Sequence, residues 1–285
     1  MCDCVDSCEV QCSITNTRHI VSKRQGGRSD VTSLDDDVFV VRFDSQRVKV
    51  YDAVTFAFQR HITVTKPGSS MYSMTACARN QCLYLSERSV FDVSNVHRVE
   101  LSGSNAVKTW PVAKWPRGLS VNKAHNLVVA CSGANKIQEY TTHGSLVREI
   151  CLQAGVTSPL HAIQLATGDY LVSQDTSPGV ISVVGVDGRV HSYGQSQTSD
   201  VGQMNRPTSL AVTKNDNILV ADQNNNRILS INRSTGCVQE LTLSVGGGIQ
   251  RPYSLYLDES RGRLYVGESG GERRLLVFDN VRLYC

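Results

Sequence analysis

The chain has 285 residues, 40% of them apolar and 19% charged, with a net charge of +3. That balance suits one compact domain and excludes a disordered chain or a polyelectrolyte arm. No run approaches the roughly 18 apolar residues of a membrane span, and the polar, cysteine-broken N-terminal stretch does not read as a signal peptide.

Taken in order, the chain begins with Cys2, Cys4, Cys8 and Cys12. Four thiols match the ligand number of tetrahedral zinc, which makes them the one metal candidate. Their spacing departs from paired C-x(2–4)-C ligands divided by a longer loop. The competing reading is a frayed tail, so residues 1–13 are read as a cysteine-rich tail, with no cofactor expected. The remaining cysteines, Cys77 and Cys82 flanking a turn among them, read as small buried apolar residues in a reducing, cytoplasmic compartment.

From residue 14 to 285 a unit of four short strands recurs. Its apolar first-strand positions are Leu34, Met74, Leu119, Ile163, Leu210 and Leu255, spaced by 40 to 47 residues. A polar turn follows each. Then come apolar second strands at 38–41, 82–85, 127–130, 170–172, 218–221 and 264–266. Third strands follow at 48–51, 90–93, 137–140, 180–184, 228–231 and 275–278. Such runs are short enough for strands buried between neighbouring sheets. A period of this length predicts an all-β, six-bladed β-propeller of four-stranded antiparallel blades. The last unit lacks a fourth strand. Arg18-His19-Ile20-Val21-Ser22-Lys23 repeats the chemistry of Arg60-His61-Ile62-Thr63-Val64-Thr65-Lys66, so the N-terminal strand is expected to close the last blade and remove a free edge.

The clearest unit runs Arg206-Pro207-Thr208-Ser209-Leu210-Ala211-Val212, then Ile218-Leu219-Val220-Ala221-Asp222, then Asn225-Asn226-Arg227-Ile228. It resembles an NHL repeat: a proline, a small residue, an apolar strand, VAD, and an Asn-Arg-Ile entry to the third strand. Arg251-Pro252-Tyr253-Ser254-Leu255 with Leu264 to Glu268, and Pro116-Arg117-Gly118-Leu119, keep parts of that pattern. The resemblance implies the C-terminal propeller of tripartite-motif (TRIM-NHL) proteins, which binds RNA or a protein substrate in ubiquitin-ligase or RNA-regulatory settings. The chain carries no RING pattern of paired cysteines, so the resemblance implies the recognition part alone.

In a propeller, the loops from strand four to the next strand one share a face with the loops joining strands two and three. The first kind carries Arg24/Arg28, Lys66, Arg117, Arg206 and Arg251; the second carries Arg42/Arg47, Arg88, Lys136, Arg227 and Arg273/Arg274. Acids there are fewer, chiefly Glu87, Asp175, Asp222, Glu268 and Glu272. A positive ring at the channel mouth would meet phosphates, and Tyr72, Tyr253, Trp115 and His161 would stack on unpaired bases. Asn225 joins this ligand face from the polar loop 222–227. The competing reading makes the arginines inter-blade braces and pairs Asp222 with Arg227.

Catalytic signatures are missing: there is no G-x-S-x-G, H-E-x-x-H or P-loop. The expectation is a non-catalytic module binding RNA or a protein partner at the channel mouth, with no membrane contact and no small-molecule substrate. A pure protein-interaction scaffold and a metal-dependent channel enzyme of lyase or lactonase type are the alternatives.

Overall fold

The computed structural model describes residues 17–20, 28–65, 69–88, 93–153, 155–187, 189–193 and 201–281, with the backbone alone for 17–20. They form six four-stranded antiparallel sheets. β1 (Thr17–Ile20) stands first in the chain. Blade 1 holds β2 (Ser29–Leu34), β3 (Asp37–Arg42), β4 (Arg47–Asp52) and β5 (Phe58–Thr63). Blade 2 holds β6 (Ser70–Cys77), β7 (Cys82–Arg88), β8 (Ser94–Glu100) and β9 (Val107–Val112). Blade 3 holds β10 (Pro116–Val121), β11 (Leu127–Cys131), β12 (Lys136–Tyr140) and β13 (Leu146–Cys151). Blade 4 holds β14 (Pro159–Gln164), β15 (Tyr170–Gln174), β16 (Ile181–Val184) and β17 (Val190–Tyr193). Blade 5 holds β18 (Pro207–Val212), β19 (Ile218–Asp222), β20 (Arg227–Ile231) and β21 (Val238–Glu240). Blade 6 holds β22 (Pro252–Asp258), β23 (Arg263–Glu268) and β24 (Leu275–Phe278).

Closure is as the sequence predicts. β1 pairs with β24, Ile20 opposite Leu275, so blade 6 takes its outer strand from the N-terminal segment. The first and last described strands are thereby tied into one sheet, and every described strand has a partner.

The second strands are apolar because they are buried on both faces. Leu127 to Cys131 are all buried, as are Ile218 to Asp222. Between blades 1 and 2, one side contributes Phe39, Val41, Val48, Val50 and Ile62, and the other Leu83, Leu85 and Val99. Equivalent apolar layers fill the other junctions and supply the main driving force for folding.

Two expectations are corrected. The third strand of blade 2 is β8, Ser94–Glu100, not 90–93; Val93 precedes it and is exposed. Apolarity did not mark β8 because Asn95 and His97 sit inside it, both bonded to the Glu87 carboxylate at 3.0 Å. Burial alone would raise Glu87, but hydrogen bonds from Ser69, Asn95 and His97 hold it below the ordinary carboxylate range. The equivalent first-strand positions in blades 1 and 4 are Val31 and Ala162, opposite Val40 and Val172, rather than Leu34 and Ile163.

Cys77 and Cys82 lie opposite each other across the β6–β7 ladder, and both are buried free thiols. Cys131 is buried likewise, while Cys151 is exposed and Cys237 half-buried. The cluster Cys2, Cys4, Cys8 and Cys12 lies outside the described residues, and so does Lys66. Among the described residues no helix is long and apolar enough to cross a membrane.

Candidate functional site

The six inner strands surround a central cavity of about 320 Å³. One ring of side chains ties the blades together inside it. Asp30 accepts the Met74 N–H at 2.7 Å, Ser73 accepts that of Leu119 at 3.3 Å, His161 accepts that of Leu210 at 3.0 Å, and Ser209 accepts that of Leu255 at 3.0 Å. Ser254 closes the circle by donating to the Ser29 carbonyl at 2.9 Å. Gly118 holds the equivalent place in blade 3. A Cβ there would stand 2.5 Å from the Leu160 carbonyl and 2.6 Å from the His161 ring. The missing side chain leaves room for His161, whose Nε2 lies 3.1 Å from the Leu119 carbonyl.

The mouth is built by β-bulges. The ladder between first and second strands shifts register in blades 2 to 6, and blade 1 has no such shift. An extra residue in a bulge is re-aimed out of the sheet, and here Tyr72, Arg117, Leu160, Thr208 and Tyr253 fall at those points, all lining the cavity. Just before them stands a second ring, Arg28, Trp115, Ser158, Arg206 and Arg251. The carbonyl of each accepts an N–H from the residue following a second strand: Phe43, Ser132, Asp175, Gln223 and Ser269. Arg28 is thus the counterpart of Arg206 and Arg251, and Arg117 belongs to the bulge ring instead.

Blade 1 lacks the bulge residue, and Arg28 stands at its mouth. Its guanidinium lies 4.9 Å from the Tyr253 ring centre and 5.9 Å from that of Phe43. Phe43 packs on Tyr72 at 5.0 Å, and Arg117 covers Tyr72 at 4.5 Å. The result is a ladder running Tyr253, Arg28, Phe43, Tyr72, Arg117 across four blades. Cation–π stacking of this kind orients each guanidinium plane and leaves its N–H edge outward. A depression of about 290 Å³ lies over it, lined by Arg28, Phe43, Tyr72, Trp115, Arg117 and Arg206. Trp115 is 43% exposed and rests against Gly133, where a Cβ would come within 2.9 Å of the indole.

The predicted site residues divide into two groups. Arg117, Tyr72 and Tyr253 meet at the mouth with Arg28. Arg206 joins them but is held by Asp175 through bonds of 2.8 and 3.3 Å. Arg251 lies on the same rim, its guanidinium on Asn224 at 3.2 Å and its stem against Gly270. Arg227 and Asn225 are set apart. Arg227 pairs with the fully buried Asp222 at 2.8 Å and reaches the Val201 carbonyl, while Asn225 bonds Asp222 and the Gln203 carbonyl. Asp222 also accepts the Asn205 N–H at 2.7 Å. Blade 6 repeats this device with Glu268, Arg274, and the Gly246 and Gly248 carbonyls. These residues latch the inter-blade loop to the second strand, which is the bracing role that was the competing reading for Arg227.

His161 lies within the cavity wall rather than beside the mouth, and burial pushes its imidazole down to about 4. Asp30 was not anticipated. Its sequence signal was present: a polar or small residue precedes the apolar anchor in Ser73-Met74, His161-Ala162, Ser209-Leu210, Ser254-Leu255 and Asp30-Val31.

The family profile described as "NHL repeat" matches residues 204–229, the first two strands of blade 5 and the start of the third. Comparison with curated proteins gives no match. Among solved structures the chain is similar to virginiamycin B lyase from Staphylococcus aureus, with 12% identity and a TM-score of 0.67, covering 93% of this chain and 99% of that one. It is also similar to a protein of unknown function from Bacteroides thetaiotaomicron (11% identity, TM-score 0.68, 93% and 72% covered). A third likeness is to Kuenenia stuttgartiensis hydrazine synthase (19% identity, TM-score 0.63, 91% and 78% covered). At these identities the likeness concerns the fold. The chain is a six-bladed β-propeller carrying an NHL repeat in its fifth blade.

Proposed function

We propose that the chain is a non-catalytic module that binds single-stranded RNA at the channel mouth, the recognition part of a cytoplasmic TRIM-NHL-like protein. The observation that carries this reading is the stacked ladder of Arg28 and Arg117 with Tyr253, Phe43 and Tyr72. Among the described residues neither arginine has a carboxylate partner; Arg117 Nε donates to Ser132 Oγ at 3.3 Å, which leaves its terminal N–H groups and the Arg28 guanidinium to meet phosphate oxygens. Trp115 supports the same reading. Its indole rests on Gly133, is 43% exposed and has the Lys114 ammonium 5.7 Å from its ring centre; a base stacked on it would contribute about 1–3 kcal/mol.

Tyr72 serves the ladder and does not stack on a base, because it is 6% exposed beneath Arg117. Among the described Phe, Tyr and Trp side chains the exposed ones are Trp115 at the mouth and Phe58 on an outer strand, so the described part of the mouth offers a polar rim with one such stacking platform. That pattern favours a phosphate-bearing strand over an apolar protein interface. A channel-lyase reading draws on fold likeness alone, and the cavity's carboxylate and imidazole, Asp30 and His161, are both committed to backbone amides.

Fluorescence anisotropy of the purified chain with a pool of short random RNAs tests the proposal. Binding that weakens steeply between low and physiological salt supports it. Absence of binding at low salt ends it and directs the search to protein partners.

A further inference from the structure

Blade 1 inverts the charge of the loop latch. In blades 5 and 6 the last residue of the second strand is a buried acid, Asp222 or Glu268, paired with Arg227 or Arg274 at the start of the third. In blade 2 the acid is Glu87, and in blades 3 and 4 the place belongs to the neutral Cys131 and Gln174. The register puts Arg42 there in blade 1, opposite Ser29 as Asp222 is opposite Pro207. Arg47, which opens β4 as Arg227 opens β20, therefore meets a cation where its counterpart meets a carboxylate.

The inversion extends outward. Lys49 occupies the position of β4 that corresponds to His97 of β8 and Gln138 of β12, and it faces His61 on β5. From blade 6, Arg273 approaches the same point. These side chains line a cleft of about 80 Å³ at the seam between blades 1 and 6, floored by Val40, Tyr51 and Leu275. That is several times the space one water needs. Among the described residues Arg47, Lys49 and Arg273 form no ion pair, and Arg42 has the exposed Asp44 at 3.4 Å.

We infer that this seam is an anion site that takes a phosphate group, which stands in for the latch acid that blade 1 lacks. A tetrahedral oxyanion accepts from several guanidinium and ammonium donors at once, as one carboxylate of Asp222 does for Arg227, Asn225 and the Asn205 amide. The site is distinct from the mouth ladder and shares none of its residues.

The test is thermal unfolding of the full chain with rising inorganic phosphate, and separately with a nucleoside monophosphate, at constant ionic strength set by chloride. The site predicts a saturable rise in Tm with phosphate. A rise with inorganic phosphate identifies the free ion as sufficient; a rise with the monophosphate alone identifies a phosphoryl group on a larger molecule. Arg42→Glu installs the acid of blades 2, 5 and 6, so it should abolish the saturable shift and unfold no lower than wild type in chloride. Lys49→Gln, which installs the residue of blade 3, should weaken the midpoint about tenfold through loss of one charged donor. Equal shifts in wild type and both variants would reflect general solute exclusion and overturn the inference, as would no shift with either ligand.

Discussion

His161 Nδ1 accepts the backbone N–H of Leu210 at 3.0 Å, across the junction of blades 4 and 5. The other ring nitrogen lies 3.1 Å from the Leu119 carbonyl in blade 3. One acceptor and one donor fix a neutral imidazole with its proton on Nε2. A single side chain therefore links three blades, in a place where Ser209 links two.

That geometry depends on Gly118. Substituting alanine drives a methyl group into the Leu160 carbonyl and the His161 ring. Gly118→Ala is expected to lower stability by about 1–3 kcal/mol, the usual cost of overpacking. Urea unfolding measures it, and an unchanged midpoint would remove His161 from the list of braces.

Two channel groups give stability opposite dependences on pH. Burial pushes Asp30 up from 3.8 to about 6, against hydrogen bonds from Met74, Ser73, Val31 and Ser254. A folded value above the unfolded one means that its contribution is complete below about pH 4 and is lost as pH rises through about 6. Burial pushes His161 from 6.5 down to about 4. Its contribution is complete above about pH 6.5 and is lost as pH falls through about 4. Asp30→Asn should therefore gain stability relative to wild type as pH is raised from about 4 to about 6. Denaturant titrations across that range decide the matter, and a constant difference would contradict the assignment.

The architecture was legible because the second strands are buried on both faces and cannot avoid apolar sequence. The mouth was legible only in part. Bulges add a residue without a strong sequence mark, so Arg117 reads as the equal of Arg206 although Arg28 holds that place. In sequence Arg227 fits both the ligand face and a pair with Asp222, and the fold decides for the pair by burying the Asp222 carboxylate fully. β8 escaped notice because its interior is polar and satisfied by Glu87.

The latch makes a separable prediction. Arg227→Ala leaves the Asp222 carboxylate buried without its cation, at a cost of about 3–5 kcal/mol. RNA affinity, measured at a temperature where the variant remains folded, should stay within about twofold of wild type, since the guanidinium faces the inter-blade loop. A large loss of affinity with unchanged stability would return Arg227 to the ligand face.

The stacking platform is tested by Trp115→Ala. Loss of one base stack predicts RNA binding weaker by about 1–3 kcal/mol with an unchanged salt slope. A variant that binds as tightly as wild type would leave Trp115 without a part in recognition.

The most direct test of the mouth as a phosphate site is the salt dependence of RNA binding by the Arg28→Ala, Arg117→Ala double variant. Each lost phosphate contact flattens the log–log slope by about 0.7 for a single strand. The account predicts weaker binding and a slope shallower by about 1.4, the effect of two such contacts. An unchanged slope with the fold intact would mean that the ladder of Arg28 and Arg117 does not meet the RNA backbone.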